Sequence, residues 1–272
     1  MRPALIAACL TLPALPADAQ RMSHCIAIAN AAPGLEYVQL AGFRDPVPEY
    51  SVRLSYVAHS TYLIQTVGGL SAMTDYAGFH GNVDFIPDVV TMNHAHSSHF
   101  TGAPDPAIGH VLRGWSETFG EAAEHHLDLG EMLIRNVSTD IRSMGGVEEN
   151  GNSIFIFEAE GLCIGHLGHL HHEPNEDQYA AIGRLDVVMV PVDGGMTLDT
   201  PSMVRVVERL KSSIVLPMHW FSGSSLNWFL EELEAEFDID IRRESEMTVS
   251  LRDLPERRTI VVLQPSYLRE PD

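Results

Sequence analysis

The sequence predicts a mixed α/β protein in which two β-sheets are covered by helices within a single domain. Short apolar segments with a two-residue period begin near residue 51 and again near residue 153, which indicates two similar strand-rich halves. No long linker, low-complexity tract or short repeat divides the chain. With 272 residues and 45% hydrophobic content, the chain can bury a sizeable core.

The first half is predicted to be a meander of short strands. Segment 51–57 alternates polar and apolar residues, as a half-buried strand does, and segment 61–67 continues the pattern. Gly68 and Gly69 then provide a tight turn. Further strands are expected at 70–74, 87–92, 109–112 and 132–137.

The second half is predicted to repeat this pattern with helices inserted between the strands. The Gly-, Asn- and Glu-rich segment 145–151 is expected to be a loop between the halves. Apolar residues at helical spacing predict helices at 174–183, 201–211 and 227–237. Strands are expected at 153–158, 162–165, 186–192, 213–218, 248–251 and 259–263.

The charge balance is strongly acidic, with 37 Asp and Glu against 17 Lys and Arg and a formal net charge of −20. This field disfavours nucleic acids and anionic membrane surfaces as partners, because both are rich in phosphate. It attracts cations, metal ions included. The expected partner is therefore a small-molecule substrate.

The N-terminus is typical of an export signal. Arg2 supplies a positive charge, residues 4–16 form a short apolar region, and Ala17-Asp18-Ala19 has the small-x-small form of a cleavage site. Residues 1–19 are therefore predicted to be a cleaved signal peptide, and 20–272 a single domain that is periplasmic or secreted. Cys9 leaves with the signal, whereas Cys25 and Cys163 are free to form a disulfide there. A buried free thiol at Cys163 is an equal alternative.

Histidines recur directly after predicted strands. His94, His96 and His99 follow strand 87–92, His169 follows strand 162–165, and His219 follows strand 213–218. Side chains at the ends of distant strands meet in layered α/β folds, and imidazole is a common zinc ligand. The pattern predicts a metal site, and a histidine-rich surface turn at 94–99 is the alternative interpretation.

Six further segments carry a recognisable pattern: 58–64, 74–76, 88–99 with its His-x-His-x-x-His pattern, 164–169, 186–195 and 216–219. Together they resemble the metallo-β-lactamase superfamily, in particular its branch of ascorbate-6-phosphate lactonase-like hydrolases. The resemblance implies a four-layer αββα sandwich with its metal site at the edge where the two sheets meet. It also implies one or two Zn²⁺ ions, with Mn²⁺ as an alternative.

Four positions depart from the pattern of the superfamily. Ser98 and His169 stand where it has metal-binding aspartates, and Asp193 stands where it usually has glycine. Asp140 is the only obvious donor in segment 136–142, where the superfamily has a histidine. A neutral hydroxyl is a poor substitute for a carboxylate ligand, and an imidazole does not bridge two ions.

The roles that follow are hypotheses about individual residues. His94 and His96 are expected to bind a first metal ion together with His169 or Asp140, and His99 and His219 a second ion. His59, Ser98 and Asp193 are candidates for orienting the water or protonating the leaving group. His166 is expected to support a ligand, whereas His171 and His172 are expected to be exposed to solvent.

The predicted function is hydrolysis of an ester, lactone, amide or phosphoester bond by an exported metal-dependent enzyme. A divalent ion in such a site lowers the pKa of a bound water to about 7 and so supplies a nucleophile. The alternative is a degenerate member of the same fold that binds metal without catalysis, because two acidic ligands are replaced.

Overall fold

The computed structural model describes residues 24–27, 42–143 and 145–270. Its first sheet has six strands in the order β13-β1-β2-β3-β4-β5. Strands β1 to β3 are antiparallel to one another, whereas β4 pairs with β3 and β5 in parallel. The strands are β1 (Ser51–Ala58), β2 (Thr61–Gln65), β3 (Ser71–Met73), β4 (Val89–Met92), β5 (His110–Arg113) and β13 (Glu246–Ser250).

The second sheet has eight strands in the order β12-β14-β11-β10-β9-β8-β7-β6. Its half from β9 to β12 is parallel, whereas β6 to β9 are antiparallel. The strands are β6 (His126–Asp128), β7 (Met132–Ser143), β8 (Gly146–Ala159), β9 (Leu162–His166), β10 (Val187–Pro191), β11 (Ile214–Met218), β12 (Asp238–Ile241) and β14 (Thr259–Val262).

The two sheets pack face to face because each has an apolar inner face. Tyr56 and Ile64 from the first sheet belong to the same buried cluster as Phe157, Met189 and Leu216 from the second. The alternation of side chains along β8 and β10 shows that the larger sheet is packed on both faces. Along β10 and in the second half of β8, alternate apolar residues enter this cluster, and the apolar residues between them enter a second cluster under the helices.

Helices cover the outer face of the eight-stranded sheet. They are α1 (His24–Ala27), α2 (Glu176–Ile182), α3 (Thr200–Leu210) and α4 (Gly223–Leu233). Met203 of α3 and Phe229 of α4 pack onto that face. The outer face of the six-stranded sheet is covered by loop residues such as Phe43, Tyr76 and Ile108. The predicted fold class is thus confirmed, with helices on one sheet and loop segments over the other in the described part of the chain.

The structure corrects the prediction of a loop at 145–151. β7 and β8 continue as a two-stranded ribbon up to the pair Ser143 and Gly146, with a register shift between Thr139 and Ile141. Glycine and polar residues are tolerated there because the end of the ribbon is largely exposed. The short strands β6 and β12 were not predicted, because pairing to β7 and β14 establishes them rather than an apolar pattern.

A disulfide joins Cys25 of α1 to Cys163 of β9, with an S–S distance of 2.07 Å and a Cα–Cα distance of 5.8 Å. The sequence left this pairing open. The bond attaches α1 to the centre of the larger sheet, where both cysteines are buried. The predicted signal segment 1–19 lies outside the described residues. No described helix has both the length and the hydropathy to cross a membrane.

Breaking this disulfide is expected to lower thermal stability. Cys25 and Cys163 are separated by 138 residues. The loop-closure entropy of a bridge of this span corresponds to at most about 5 kcal/mol of free energy of unfolding. Differential scanning calorimetry should show a lower melting temperature for the wild type in reductant, and no effect of reductant on a Cys25→Ser, Cys163→Ser double variant. An equal reductant effect on both proteins would contradict the assignment.

Candidate metal centre

Seven histidines meet at one edge of the sandwich, on the loops that follow the strands. β3 and β4 are parallel, as are β9, β10 and β11, so the loops at their carboxyl ends lie along one edge. The turn between β1 and β2 joins them, because the backbone N–H of His219 donates to the carbonyl of His59 at 2.9 Å. The ring contacts connect His59, His94, His96, His99, His169, His171 and His219.

The most compact part of this cluster consists of His59, His99 and His219, each of which has a ring nitrogen within 4.8 Å of the others. The Nε2 atoms of His99 and His219 are 3.1 Å apart. Two imidazole nitrogens on one tetrahedral zinc ion, each at about 2.0–2.1 Å, lie about 3.3 Å apart. The Nε2 atom of His59 is buried without a partner among the described residues. These three side chains therefore have the spacing of a metal site.

Buried carboxylates set the orientation of two of these rings. His99 Nδ1 contacts Asp75 Oδ2, and His219 Nδ1 lies 2.8 Å from Asp193 Oδ2. A carboxylate at Nδ1 holds the proton on that nitrogen, so that the lone pair of the neutral ring is on Nε2. The two Nε2 lone pairs then face each other. A cation between them removes this repulsion, and the donor set fits a metal ion.

Asp75 is fully buried, and it holds three segments together. Besides His99, it accepts hydrogen bonds from Ser60 Oγ at 2.6 Å and from the backbone N–H of Asn93 at 3.1 Å. Burial alone would raise the pKa of this carboxyl group. The interaction with His99 and the hydrogen bond from Ser60 outweigh burial and hold the pKa of Asp75 well below its usual range. Asp75 is therefore an anion that fixes His99.

Asp193 has the same relation to His219. Its Oδ1 accepts the backbone N–H groups of the next turn, and Thr197 Oγ1 donates to its Oδ2 at 2.6 Å. Burial raises the pKa of Asp193, but the close contact with His219 and the hydrogen bonds from Thr197 outweigh this effect and lower it well below the usual range. Both carboxylate oxygens of Asp193 are thus occupied by contacts within the protein, and the residue lies behind His219. The sequence predicted a catalytic role for Asp193.

Three residues of the site have left-handed backbone conformations, with φ of 45° at His59, 48° at Asp75 and 58° at His219. Non-glycine residues in this region cost on the order of 1–3 kcal/mol each, and they persist where the surrounding contacts impose them. Here the hydrogen bonds of Asp75 and of the His59 carbonyl impose them. These strained backbone conformations direct the three side chains into the site.

A second group consists of His94, His96 and His169, whose rings are nearly parallel and 5.5–6.4 Å apart. His94 Nδ1 donates to the carbonyl of Gly151 at 2.7 Å, and His96 Nδ1 is 2.9 Å from Ser98 Oγ. In both rings this leaves Nε2 for a metal ion. His169 Nδ1 is buried without a described partner, and its ring is 4.4 Å from that of His99. The second group of histidines is therefore in contact with the first through His169 and His99.

Burial favours the neutral form of His59, His94 and His169, which is the form that binds metals. Desolvation, followed by the neighbouring histidines, lowers the pKa of His169 to about 2 and that of His59 to about 4. Desolvation also lowers the pKa of His94. His59, His94 and His169 are thus neutral nitrogen donors, and two anionic carboxylates lie behind the neighbouring His99 and His219.

Comparison with known families locates this site in a recognised superfamily. A family model described as a beta-lactamase superfamily domain matches residues 53–219, from β1 to the end of β11. The chain belongs to the beta-lactamase superfamily. The match contains His59, His99 and His219 together with both carboxylates behind them. The narrower resemblance to the ascorbate-6-phosphate lactonase branch stays a prediction.

Curated superfamily relatives are named metal-dependent hydrolases. One from Methanosphaerula palustris is 24% identical over 210 residues, covering 70% of this chain and 95% of the relative. One from Methanoculleus marisnigri is 23% identical over 217 residues, covering 74% and 92%. At the level of the family, the chain is therefore a metal-dependent hydrolase.

Solved structures confirm the fold. A metallo-beta-lactamase superfamily protein from Thermotoga maritima has a TM-score of 0.55 at 23% identity, covering 78% of this chain and 98% of the other. The metallo hydrolase of Ignicoccus hospitalis has a TM-score of 0.51 at 18% identity, covering 68% and 91%. A diiron β-hydroxylase from Streptomyces venezuelae has a TM-score of 0.52 at 12% identity, covering 76% and 55%. The fold alone therefore does not fix the chemistry.

The superfamily signature is only partly followed in the described site. Ser98 is in the position of an aspartate and contacts His96 Nδ1. Asp140 accepts a hydrogen bond from the backbone N–H of Asn150 at 2.9 Å, which ties it to the β7–β8 ribbon and not to the histidine cluster. His166 is fully buried, donates from Nε2 to the carbonyl of Ser60 and accepts Asn93 Nδ2 at Nδ1. It supports the site, as predicted, and has no nitrogen left for a metal.

Two features of the site differ from the sequence-based interpretation or were missed. His171 was predicted to be exposed but is only 9% exposed, with its ring 4.7 Å from that of His169. His172 is half-buried. Asp75 lies in the turn that carried part of the resemblance, yet it was assigned no role. The signal that identifies it is an acidic residue at the end of a predicted buried strand.

Gly168 permits the close packing under the second group. Its φ is 62°, and a Cβ atom there would lie 2.5 Å from Asn93 Nδ2 and 2.6 Å from Asn152 Oδ1. Asn152 Oδ1 in turn accepts the backbone N–H of His169 at 2.8 Å. A side chain at position 168 would therefore displace the loop that carries His169.

Removing one of the central histidines is expected to abolish tight metal binding. His219→Ala deletes one of the two facing nitrogens. Isothermal titration of the metal-free variant with Zn²⁺ should therefore no longer show the equivalent of Zn²⁺ that the wild type binds most tightly. Asp193→Asn removes the negative charge behind His219 and should weaken that equivalent about 10–100-fold. His126→Ala, at an exposed position on β6, is the matched control. Unchanged Zn²⁺ affinity in His219→Ala would contradict the site.

The metal-free protein is expected to lose stability on acidification below about pH 6.5. The pKa values of His59 and His169 are lowered in the folded state, whereas an unfolded histidine titrates near 6.5. The unfolded chain therefore takes up protons first, and stability falls with pH by at most about 1.4 kcal/mol per unit for each such histidine. Urea unfolding at pH 7 and pH 5 measures this, with His59→Ala expected to show a smaller difference. A wild-type stability that is flat or higher at pH 5 would refute it.

Proposed function

We propose that this protein is a hydrolase whose principal metal ion is held by His59, His99 and His219. The observation that carries the proposal is the pair of facing Nε2 atoms, each backed by a buried carboxylate. His94, His96 and His169 form an adjoining donor set for a second ion. Zn²⁺ is the expected metal and Mn²⁺ the alternative, because neutral imidazoles suit zinc better than the harder Mn²⁺ ion. The bonds cleaved are those of esters, lactones, amides or phosphoesters.

Each residue has a defined task in this proposal. His99 and His219 hold the ion, and Asp75 and Asp193 keep their rings in the binding tautomer. When bound, the ion lowers the pKa of a coordinated water and so supplies the nucleophile at neutral pH. His96 is exposed and Ser98 is half-buried at the mouth of the site, where the 2.9 Å contact between Oγ and Nδ1 is suited to passing a proton to solvent.

The surroundings of the site favour a small substrate with an apolar group. Phe221 is 61% exposed, and its ring lies 5.2 Å from the rings of both His59 and His219. Met196, also 61% exposed, lies in the turn that holds Asp193. The net charge of −20 disfavours a strongly anionic substrate. We therefore expect uncharged esters and lactones to be better substrates than phosphodiesters.

The alternative is a degenerate member that binds metal without turnover. What favours it is the replacement of two acidic ligands by Ser98 and His169, which leaves a site rich in neutral donors. Asp75 and Asp193 then supply negative charge from behind the ligands.

A substrate panel separates the two functions. The purified protein, loaded with one or two equivalents of Zn²⁺ or Mn²⁺, should hydrolyse chromogenic esters or lactones, and His99→Ala should reduce kcat/KM by at least about 10³-fold because the ion is lost. His126→Ala should retain full activity. Stoichiometric metal binding with no turnover on esters, lactones, amides, phosphodiesters or β-lactams would favour the degenerate alternative.

We also propose export. The small-x-small motif at Ala17-Asp18-Ala19 and the Cys25–Cys163 disulfide support it, because disulfides persist in oxidising compartments. N-terminal sequencing of the protein from its native host should give a chain that begins near Gln20. A mature chain that begins at Met1 would overturn the proposal.

A further inference from the structure

His171 differs from the other histidines of the site in which of its nitrogens carries the proton. The backbone N–H of Arg142, on β7, donates to His171 Nδ1 at 2.8 Å. A nitrogen that accepts a hydrogen bond uses its lone pair, so the proton of the neutral ring is on Nε2. His94 has the opposite arrangement, because its Nδ1 donates to the carbonyl of Gly151.

This tautomer makes His171 a hydrogen-bond donor and not a metal ligand. A neutral imidazole binds a metal through a nitrogen lone pair, and the only lone pair of His171 is already taken by Arg142. The Nε2 atom is buried and has no partner among the described residues. The whole side chain is only 9% exposed. A buried N–H without an acceptor costs free energy, which an acceptor on a bound molecule removes.

The position of His171 is within the proposed catalytic site. Its ring centroid is 4.7 Å from that of His169, which in turn contacts the rings of His99 and His219. Both His94 and Asp193 interact electrostatically with it. An oxygen atom of a bound substrate can supply the acceptor that Nε2 lacks among the described residues.

Arg142 fixes His171 to the same framework that fixes His219. Its guanidinium donates to the carbonyl oxygens of Gly195 at 3.1 Å, Met196 at 3.4 Å and Thr197. The backbone N–H groups of those residues hold Asp193, which orients His219. The donor and the metal ligand are thus positioned relative to each other before a substrate binds, which is the requirement for electrostatic stabilisation of a transition state.

We propose that the Nε2–H of His171 donates a hydrogen bond to the carbonyl oxygen of an ester or lactone and stabilises the negative charge that develops on it. The proposal rests on the hydrolase function above. Water adds to the carbonyl carbon, and the π-electron pair moves onto the oxygen that faces His171. The carbonyl then re-forms as the bond to the leaving oxygen breaks, and the leaving oxygen takes the proton lost by the water. His171 transfers no proton in this step.

Two substitutions separate this role from a structural one. In His171→Gln, the longer side chain can place an amide N–H near the position of Nε2, but it gives up the acceptor for Arg142. In His171→Asn, the shorter side chain can keep an amide oxygen near the position of Nδ1 for Arg142, but it has no donor at Nε2. A catalytic donor predicts that Gln is the better replacement, and a purely structural role predicts that Asn is. His126→Gln is the control.

We expect His171→Asn to lower kcat on a chromogenic ester on the order of 10²-fold with a smaller change in KM, and His171→Gln to recover at least tenfold of that loss. Both variants should bind Zn²⁺ with the wild-type stoichiometry, as measured by calorimetry on the metal-free protein. Loss of a Zn²⁺ equivalent in both variants, or a better recovery with Asn than with Gln, would overturn the proposal.

A binding measurement keeps the proposal testable when no substrate is turned over. Acetate is titrated into the Co²⁺-loaded protein and followed by the visible absorption of the ion. Acetate affinity should fall about tenfold or more in His171→Asn and be partly restored in His171→Gln, because the N–H donates to an anionic oxygen. Equal acetate affinity in wild type and His171→Asn would refute the role of His171. Weaker acetate binding in His171→Asn alongside a wild type without activity would uphold the donor and count against the hydrolase function.

Discussion

The contact between the buried carboxylate of Asp75 and His99 is the interaction on which the rest of the site depends. A fully buried anion is stable only when hydrogen-bond donors surround it, and Asp75 obtains them from Ser60, Asn93 and His99. These residues belong to the β1–β2 turn and to the loop after β4. Satisfying one charge therefore brings three segments of the six-stranded sheet together and leaves His99 Nε2 pointing at the other sheet.

The eight-stranded sheet provides the matching half. Asp193, anchored by three backbone N–H groups, holds His219 at the end of β11, so that the two Nε2 atoms meet across the seam between the sheets. The hydrogen bond from the backbone N–H of His219 to the carbonyl of His59 joins the two sheets at this edge. The site thus belongs to neither sheet alone. It exists because the apolar inner faces of the two sheets hold them in register.

The distribution of charge distinguishes this chain from the superfamily pattern it resembles. Ser98 and His169 replace carboxylates next to the ions, while Asp193 adds a carboxylate behind a ligand. In the proposed site, negative charge lies behind the ligands, at Asp75 and Asp193. Such a site binds a cation through neutral nitrogens and still compensates its charge at a distance of one imidazole ring.

The sequence predicts the parts of this arrangement that are encoded locally. The strands of the sandwich core have alternating or continuous apolar residues, and the histidines that follow β4 and β11 are evident from their positions at strand ends. The ribbon at 146–151 was mistaken for a loop, because an exposed two-stranded extension carries no apolar pattern. The roles of Asp75 and His171 depend on contacts with His99 and Arg142, 24 and 29 residues away. The disulfide between Cys25 and Cys163 likewise depends on the packing of α1 against β9.

The most direct test of the central claim is to locate the metal by anomalous diffraction. Crystals of the protein with stoichiometric Zn²⁺ should give a difference peak at the zinc absorption edge within about 2.1 Å of Nε2 of both His99 and His219, with His59 as a further ligand. A second, adjoining peak at His94, His96 and His169 is compatible with the account. A structure in which the strongest zinc peak lies elsewhere, with the His99 and His219 nitrogens still facing each other without an ion, would contradict it.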